Sequence, residues 1–130
     1  MSEHPNARGT REGFDRFIAG DPEGLLELFA RHAVWHVPGE NAMAGDYDGL
    51  DEILAFLRRT REITDGTYQV ELLWVVADDK HVVPVYRARG RRGERTLDIE
   101  QALLITVENG QWVDVRAQPL DQAAFDAFWA

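Results

Sequence analysis

Hydrophobic residues recur at helical spacing in the first half of the chain and again at its end, and with β-strand alternation in between. Phe14, Phe17 and Ile18 form one apolar stripe, which is typical of a helix that packs on a core. Asp21 before Pro22 favours a second helix, because an N-cap acceptor precedes a proline at the first helical position. The predicted helices cover about residues 7–19, 22–30 and 50–63, and a short terminal helix that follows an N-cap at Asp121.

β-Branched and aromatic residues dominate the remaining segments, which end at glycine, proline or polar turn residues. Asn109-Gly110 is the strongest turn signal, because both central residues of a type I′ turn need positive φ. The glycine-rich stretch 39–49 predicts a mobile loop or a short hairpin, and residues 1–6 are expected to be disordered. The predicted strands cover about residues 32–38, 67–77, 81–91, 94–108 and 111–118.

The order of these elements predicts an α+β fold, in which helices cover one face of a curved, mostly antiparallel sheet. The length of 130 residues fits one domain. The chain has no cysteine, which excludes thiol chemistry, and its net charge of −9 disfavours nucleic acid and anionic membrane surfaces as partners. It shows neither a long apolar run nor a leader pattern, so a cytoplasmic protein is expected. No motif with metal-ligand spacing and no phosphate-binding loop is present, so neither metal nor cofactor is predicted.

Four short segments carry a shared pattern: residues 33–39 (AVWHVPG), 45–49 (GDYDG), 109–113 (NGQWV) and 121–125 (DQAAF). Together they resemble the SnoaL-like, polyketide-cyclase-like family of the ketosteroid-isomerase-like and nuclear-transport-factor-two-like superfamily. The resemblance implies a cone-shaped sheet packed on three helices from the first half of the chain, with a deep, mainly apolar pocket between them. It also implies a homodimer built on the outer face of the sheet.

Strand alternation predicts which side chains face that pocket, since cross-strand partners share a face. We take Arg92-Gly93 and Asn109-Gly110 as two-residue hairpin turns. Arg87, Asp98 and Glu100 then fall on one face, which we assign to the pocket. Two carboxylates beside one guanidinium cannot both be neutralised by it, so burial favours a proton on one of them, as a general acid or base requires. The alternative is an ion pair at the wet rim of the cone, which has no catalytic role.

The apolar lining of the pocket is predicted from the same face and from the helix stripes. For Phe17 and Phe56, plain core packing is the competing explanation. Tyr86, Gln101, Leu103 and Trp112 are assigned to the opposite, outer face, whose hydrophobic content suggests the dimer contact. The predicted ligand-binding residues are Phe17, Trp35, Val37, Met43, Phe56, Tyr68, Leu72, Trp74, Val85, Ala102 and Val115.

These predictions favour a small-molecule enzyme of the SnoaL-like type. Arg87, Asp98 and Glu100 would carry out general acid–base chemistry on a hydrophobic, oxygenated substrate without a cofactor, as an isomerase, cyclase, dehydratase or hydrolase. A non-catalytic binding module for an apolar metabolite is the alternative, because folds of this type host both kinds of function.

Overall fold

The structure is a computed structural model and describes residues 3–130. Each predicted helix and strand is present, with altered ends, and a further short strand occupies part of the glycine-rich stretch. The helices are α1 (Pro5–Ile18), α2 (Pro22–Leu25), α3 (Leu50–Glu62) and α4 (Gln122–Trp129). The strands are β1 (Phe29–Val37), β2 (Gly45–Asp48), β3 (Gln69–Ala77), β4 (His81–Arg92), β5 (Arg95–Glu108) and β6 (Gln111–Pro119).

The six strands form one sheet in the order β2-β1-β6-β5-β4-β3. Strands β3 to β6 are an antiparallel meander, β1 runs parallel to β6, and β2 pairs antiparallel with β1 at the edge. The helices α1 and α3 pack across one face of the sheet, and the main hydrophobic core lies between them and that concave face. The predicted α+β fold, with a curved, mostly antiparallel sheet, is confirmed.

Three segment predictions need correction. The second helix ends at Leu25 and continues only as one 3-10 turn, so that β1 begins at Phe29 instead of near residue 32. Disorder over residues 1–6 is wrong for Pro5 and Asn6, which begin α1, because Asn6 donates to the Asp78 carbonyl and so fixes this end to the β3–β4 turn. Residues 1 and 2 lie outside the described residues.

Two β-bulges change which residues face the core. In β3, Leu72 pairs with Tyr86 but Trp74 pairs with Val85, so one extra residue is inserted between them. In β6, Trp112 pairs with Val107, whereas Asp114 pairs with Thr106, so Val113 is extra. Each bulge reverses the alternation of side chains along its strand.

The C-terminal helix α4 lies against the open end of the sheet and is held there by two sets of polar contacts. On one side, Asp126 Oδ1 accepts hydrogen bonds from the backbone of Glu40 and from the side-chain amide of Asn41. On the other, Arg92 donates to the Phe128 carbonyl at 2.7 Å. A side chain at Gly39 would collide with Asp126, so the loop before β2 can approach the helix only because that position is glycine.

Candidate functional site

A pocket opens between the concave face of the sheet and the helices, with an empty volume of about 700 Å³ including its open mouth. Nine of the eighteen lining residues are aromatic, and none of those eighteen carries a carboxylate or a basic side chain. Aromatic walls with few polar groups are typical of a small-molecule site. The lining residues are Phe14, Phe17, Leu25, Trp35, Val37, Met43, Phe56, Leu57, Thr60, Tyr68, Val70, Tyr86, Gln101, Leu103, Trp112, Ala117, Phe125 and Trp129.

The polar groups of the lining are few and deeply buried. Gln101 on β5 is 3% exposed and donates from Nε2 to the Tyr86 hydroxyl on β4 at 2.9 Å. The hydroxyl of Thr60 donates to the Leu57 carbonyl within its own helix, so it is already satisfied. Trp35 on β1 presents an indole N–H. The hydroxyls of Tyr68 and Tyr86, the amide of Gln101 and the indole of Trp35 are therefore among the groups that can orient a bound molecule.

Both tyrosines in the lining are neutral phenols over the physiological pH range. Burial raises the pKa of Tyr86 to about 12, against a smaller opposing effect of its hydrogen bond with Gln101. Burial also raises the pKa of Tyr68 well above its usual range. Each hydroxyl can donate a hydrogen bond, but neither can act as a base near neutral pH.

The predicted acid–base trio does not lie in this pocket. Arg87, Asp98 and Glu100 share one face, as expected, but it is the convex outer face, where Arg87 Nε contacts Asp98 Oδ1 at 2.6 Å. The Arg87 and Asp98 side chains are 41% and 51% exposed. The hydrogen bond from Arg87 lowers the pKa of Asp98, which is the reverse of what a general acid needs. These contacts fit the alternative explanation, which is an ion pair on the solvent-exposed surface.

The assignment failed because the two faces were exchanged. Tyr86 pairs with Gln101 and both line the pocket, so their neighbours Val85 and Ala102 must point outward. Trp74 pairs with Val85 and is 50% exposed, which places it on the same outer face. The predicted pocket positions of Trp74, Val85 and Ala102 are therefore wrong.

Most of the remaining predicted lining residues are placed as expected. Leu72 and Val115 face the same side as the pocket but belong to the packed core around it. Val115 does so only because the β6 bulge restores its inward orientation. Contact of the correctly placed residues with a ligand stays a prediction. Those that line the pocket are Phe17, Trp35, Val37, Met43, Phe56 and Tyr68.

A charged cluster on the outer face ties together the strands that carry one wall of the pocket. His36 on β1 lies 2.7 Å from Asp46 of β2 through Nδ1 and 2.7 Å from Asp114 of β6 through Nε2. Because each ring nitrogen faces a carboxylate oxygen, both must carry hydrogen, and His36 is an imidazolium. Arg116 also donates to Asp114, at 3.2 Å.

The cluster changes the ionisation of His36. Burial by itself lowers the pKa of the imidazole, but the hydrogen bonds and charges of Asp46 and Asp114 outweigh burial, so the pKa is raised above the ordinary 6.5. The neighbouring residue Tyr47 packs on Phe56, with ring centroids 4.5 Å apart, and so joins β2 to the pocket wall. The ion pairs of His36 therefore hold β2 and β6 to β1 on the side of the sheet opposite to the pocket.

Comparison with known proteins identifies the family. A family model described as SnoaL-like domain matches residues 10–115. This chain belongs to the SnoaL-like domain family. The match includes every pocket-lining residue except Ala117, Phe125 and Trp129, and the family expected from the four sequence segments is confirmed.

Relatives of this SnoaL-like chain share its full length. The uncharacterized protein Rv0034 of Mycobacterium tuberculosis is 37% identical, with all of both chains covered. The structure of Bal32a, from a soil-derived mobile gene cassette, is 36% identical with a TM-score of 0.91, covering 96% of each chain. An NTF2-like protein from Burkholderia xenovorans is 26% identical with a TM-score of 0.81, covering 100% of this chain and 99% of the other. The fold is thus the NTF2-like one.

Residues 3–130 of the SnoaL-like chain contain neither a cluster of metal ligands nor a membrane-spanning helix. No group of three or more histidine, aspartate or glutamate side chains in that range is placed to hold a metal ion. No helix in the same range has both the length and the apolar character of a membrane span.

Sequence reasoning assigned Tyr86 and Gln101 to the wrong face and so missed them as pocket residues. A signal was available in β5, where Leu97, Leu103 and Ile105 occupy alternate positions and Gln101 interrupts that apolar series. A single polar side chain in an otherwise hydrophobic face is the pattern of a buried group with a specific partner.

Proposed function

We propose that this chain binds an uncharged, hydrophobic molecule that contains oxygen, and that the aromatic pocket is the binding site. The supporting observation is the composition of the lining, in which nine aromatic residues and no carboxylate or basic group surround the cavity. An ionised ligand would lose its hydration there without gaining a counter-charge, at a large energetic cost. A flat neutral ligand gains contact with aromatic rings on several sides.

The charge preference is testable with two fluorescent probes that share the same rings. N-Phenyl-1-naphthylamine is uncharged, whereas 8-anilino-1-naphthalenesulfonate carries a sulfonate. We expect saturable fluorescence enhancement with the first and at least about tenfold weaker binding of the second. The substitution Ala117→Phe, which fills the pocket, should abolish the enhancement, and Leu104→Phe on the outer face should not. Failure of N-phenyl-1-naphthylamine to bind, or equal binding of it by Ala117→Phe, would show that the pocket is not the site.

Catalysis on the bound molecule is the second candidate function. It is favoured by the Tyr86 hydroxyl, which accepts from Gln101 and so keeps its own hydrogen free to donate to a carbonyl oxygen. Such donors stabilise the oxyanions that form in enolisation and ring closure. The lining holds no carboxylate or histidine that would take up a proton, so we rank binding first. A binding protein returns its ligand unchanged, whereas an enzyme of this kind converts it.

We also propose that two copies associate through an outer patch formed by the exposed side chains of Trp74, Val76 and Leu104. Trp74, Val76 and Leu104 are 50%, 56% and 44% exposed, and large apolar surface of this kind commonly marks an interface. A two-fold dimer presents the same patch from both copies. The nearby surface pair of Arg87 and Asp98 offers charges of both signs, so the rim of each copy can complement the other.

The dimer is tested by light scattering after gel filtration. The wild-type protein should have twice the 14.8 kDa mass of the chain, and Trp74→Glu should shift it to the single-chain mass. Leu120→Glu is the matched control, because Leu120 is 61% exposed but lies outside the outer patch. A wild-type mass of one chain would refute the association.

A further inference from the structure

Two buried polar atoms in the pocket walls lack a partner within residues 3–130. They are the indole Nε1 of Trp35, on β1, and the amide Oε1 of Gln101, on β5. Trp35 is 6% exposed, Gln101 is 3% exposed, and both line the pocket. Native proteins leave few buried polar atoms without a hydrogen bond, because such atoms have lost water and gained nothing in return. Two of them in one pocket indicate positions that a ligand completes.

The chemistry of each atom defines what it needs. The indole nitrogen of Trp35 can only donate, so its partner must be an acceptor such as a carbonyl oxygen. With the amide of Gln101 oriented so that Nε2 donates to Tyr86, the free Oε1 can only accept, so its partner must be a hydroxyl or another donor. The two positions therefore require opposite hydrogen-bonding groups.

The strand register separates the two positions. Trp35 is level with Val115, and Val115 is level with Ile105, four residues along β5 from Gln101. Four residues along a strand and two strand spacings put the Cα atoms of Trp35 and Gln101 about 16 Å apart in a flat sheet. Strand side chains stand roughly perpendicular to the sheet, so the two polar atoms stay apart and two separate ligand groups serve them.

From these observations we infer that the ligand carries two polar groups on a hydrophobic framework: a carbonyl-type acceptor bound by Trp35 and a hydroxyl-type donor bound by Gln101. The inference rests on the proposed function, since it names the chemistry of the molecule that the pocket binds. It also fixes the orientation of that molecule, with the acceptor toward β1 and the donor toward β5.

A matched ligand series separates the contributions of the two groups. Naphthalene, 2-naphthol, 2-acetylnaphthalene and 6-acetyl-2-naphthol share one framework and differ only in the hydroxyl and the ketone. Binding is measured by quenching of tryptophan fluorescence and by calorimetry. We expect each group to tighten binding about tenfold, so that 6-acetyl-2-naphthol binds best.

Substitutions assign each gain to its residue. Gln101→Leu should remove the gain from the hydroxyl and keep the gain from the ketone, and Gln101→Met provides a second apolar variant if Gln101→Leu does not fold. Trp35→Phe should do the reverse. Trp74→Phe is the matched control, because it removes an indole from the outer face and not from the pocket, and it should keep both gains.

The outcomes distinguish this inference from the proposed function. If the hydroxyl gain survives Gln101→Leu, or the ketone gain survives Trp35→Phe, the inference is overturned. It is also overturned if the four naphthalenes bind equally or not at all while N-phenyl-1-naphthylamine still binds, and the proposed function then stands. If no uncharged probe binds, both fail.

Discussion

Replacing Phe128 by alanine is expected to lower the free energy of unfolding by about 3–5 kcal/mol. Phe128 is 2% exposed, packs edge-on against Trp129 with ring centroids 4.7 Å apart, and lies against Gly90 of β4. Removing the ring leaves a cavity between α4 and β4, and the lost packing lowers the stability of the fold. The midpoint of urea unfolding, followed by circular dichroism at one protein concentration, measures the loss.

Leu120→Ala provides the control for this substitution. Leu120 immediately precedes α4 but is 61% exposed, so its truncation should change the free energy of unfolding by no more than about 0.5 kcal/mol. A loss below about 1 kcal/mol for Phe128→Ala would contradict the packing of α4 described above.

The second large effect concerns His36 and depends on pH. Replacing His36 by asparagine should lower the free energy of unfolding by about 2 kcal/mol at pH 6, because two charge-assisted hydrogen bonds are lost, Asp46 loses its partner and Asp114 keeps only Arg116. The side chain of His36 is 27% exposed, so solvent screening keeps the effect at the low end for such bonds.

The direction of the pH dependence follows from the raised pKa of His36. The folded protein binds the imidazole proton more tightly than the unfolded chain does, so this stabilisation is fully present below the ordinary pKa of 6.5. It is lost as the pH rises through the folded-state pKa. The gap between wild type and His36→Asn should therefore be widest near pH 6 and should shrink toward pH 9.

Urea unfolding of both proteins across this pH range tests the prediction. His32→Asn is the matched control, since His32 is exposed on the same strand, and it should leave the pH profile unchanged. A gap between wild type and His36→Asn that stays constant, or widens with rising pH, would show that the imidazolium is not stabilised by Asp46 and Asp114.

The sequence was sufficient to predict the elements and their order, because strong local signals mark them. Asp21 and Asp121 act as N-caps as expected, with side chains that accept from the backbone of Gly24 and Ala124. The hairpin at Asn109 is also found, with positive φ at both turn residues. These features depend on neighbours along the chain, which a sequence displays directly.

The side of the sheet that faces the helices was harder to predict, because it depends on contacts distant in sequence. Strand alternation correctly placed Arg87, Asp98 and Glu100 on one face of the sheet, but it does not show which of the two faces is buried. The bulges at Leu73 and Val113 then invalidated the alternation within single strands. The hydrophobic series of β5, which only Gln101 interrupts, was the better guide, since a buried face selects apolar residues at every second position.

The placement of α4 bears on how long a ligand stays bound. Phe125 and Trp129 of this helix form part of the pocket wall. The hydrogen bonds at Asp126 and Arg92 hold the helix to the rest of the fold. A helix of eight residues has little stability of its own and opens more easily than the central strands. The residence time of the ligand would then follow the rate at which α4 detaches. Stronger hydrogen bonds at Asp126 and Arg92 would slow the release and the entry of the ligand together, while the equilibrium affinity stays nearly constant.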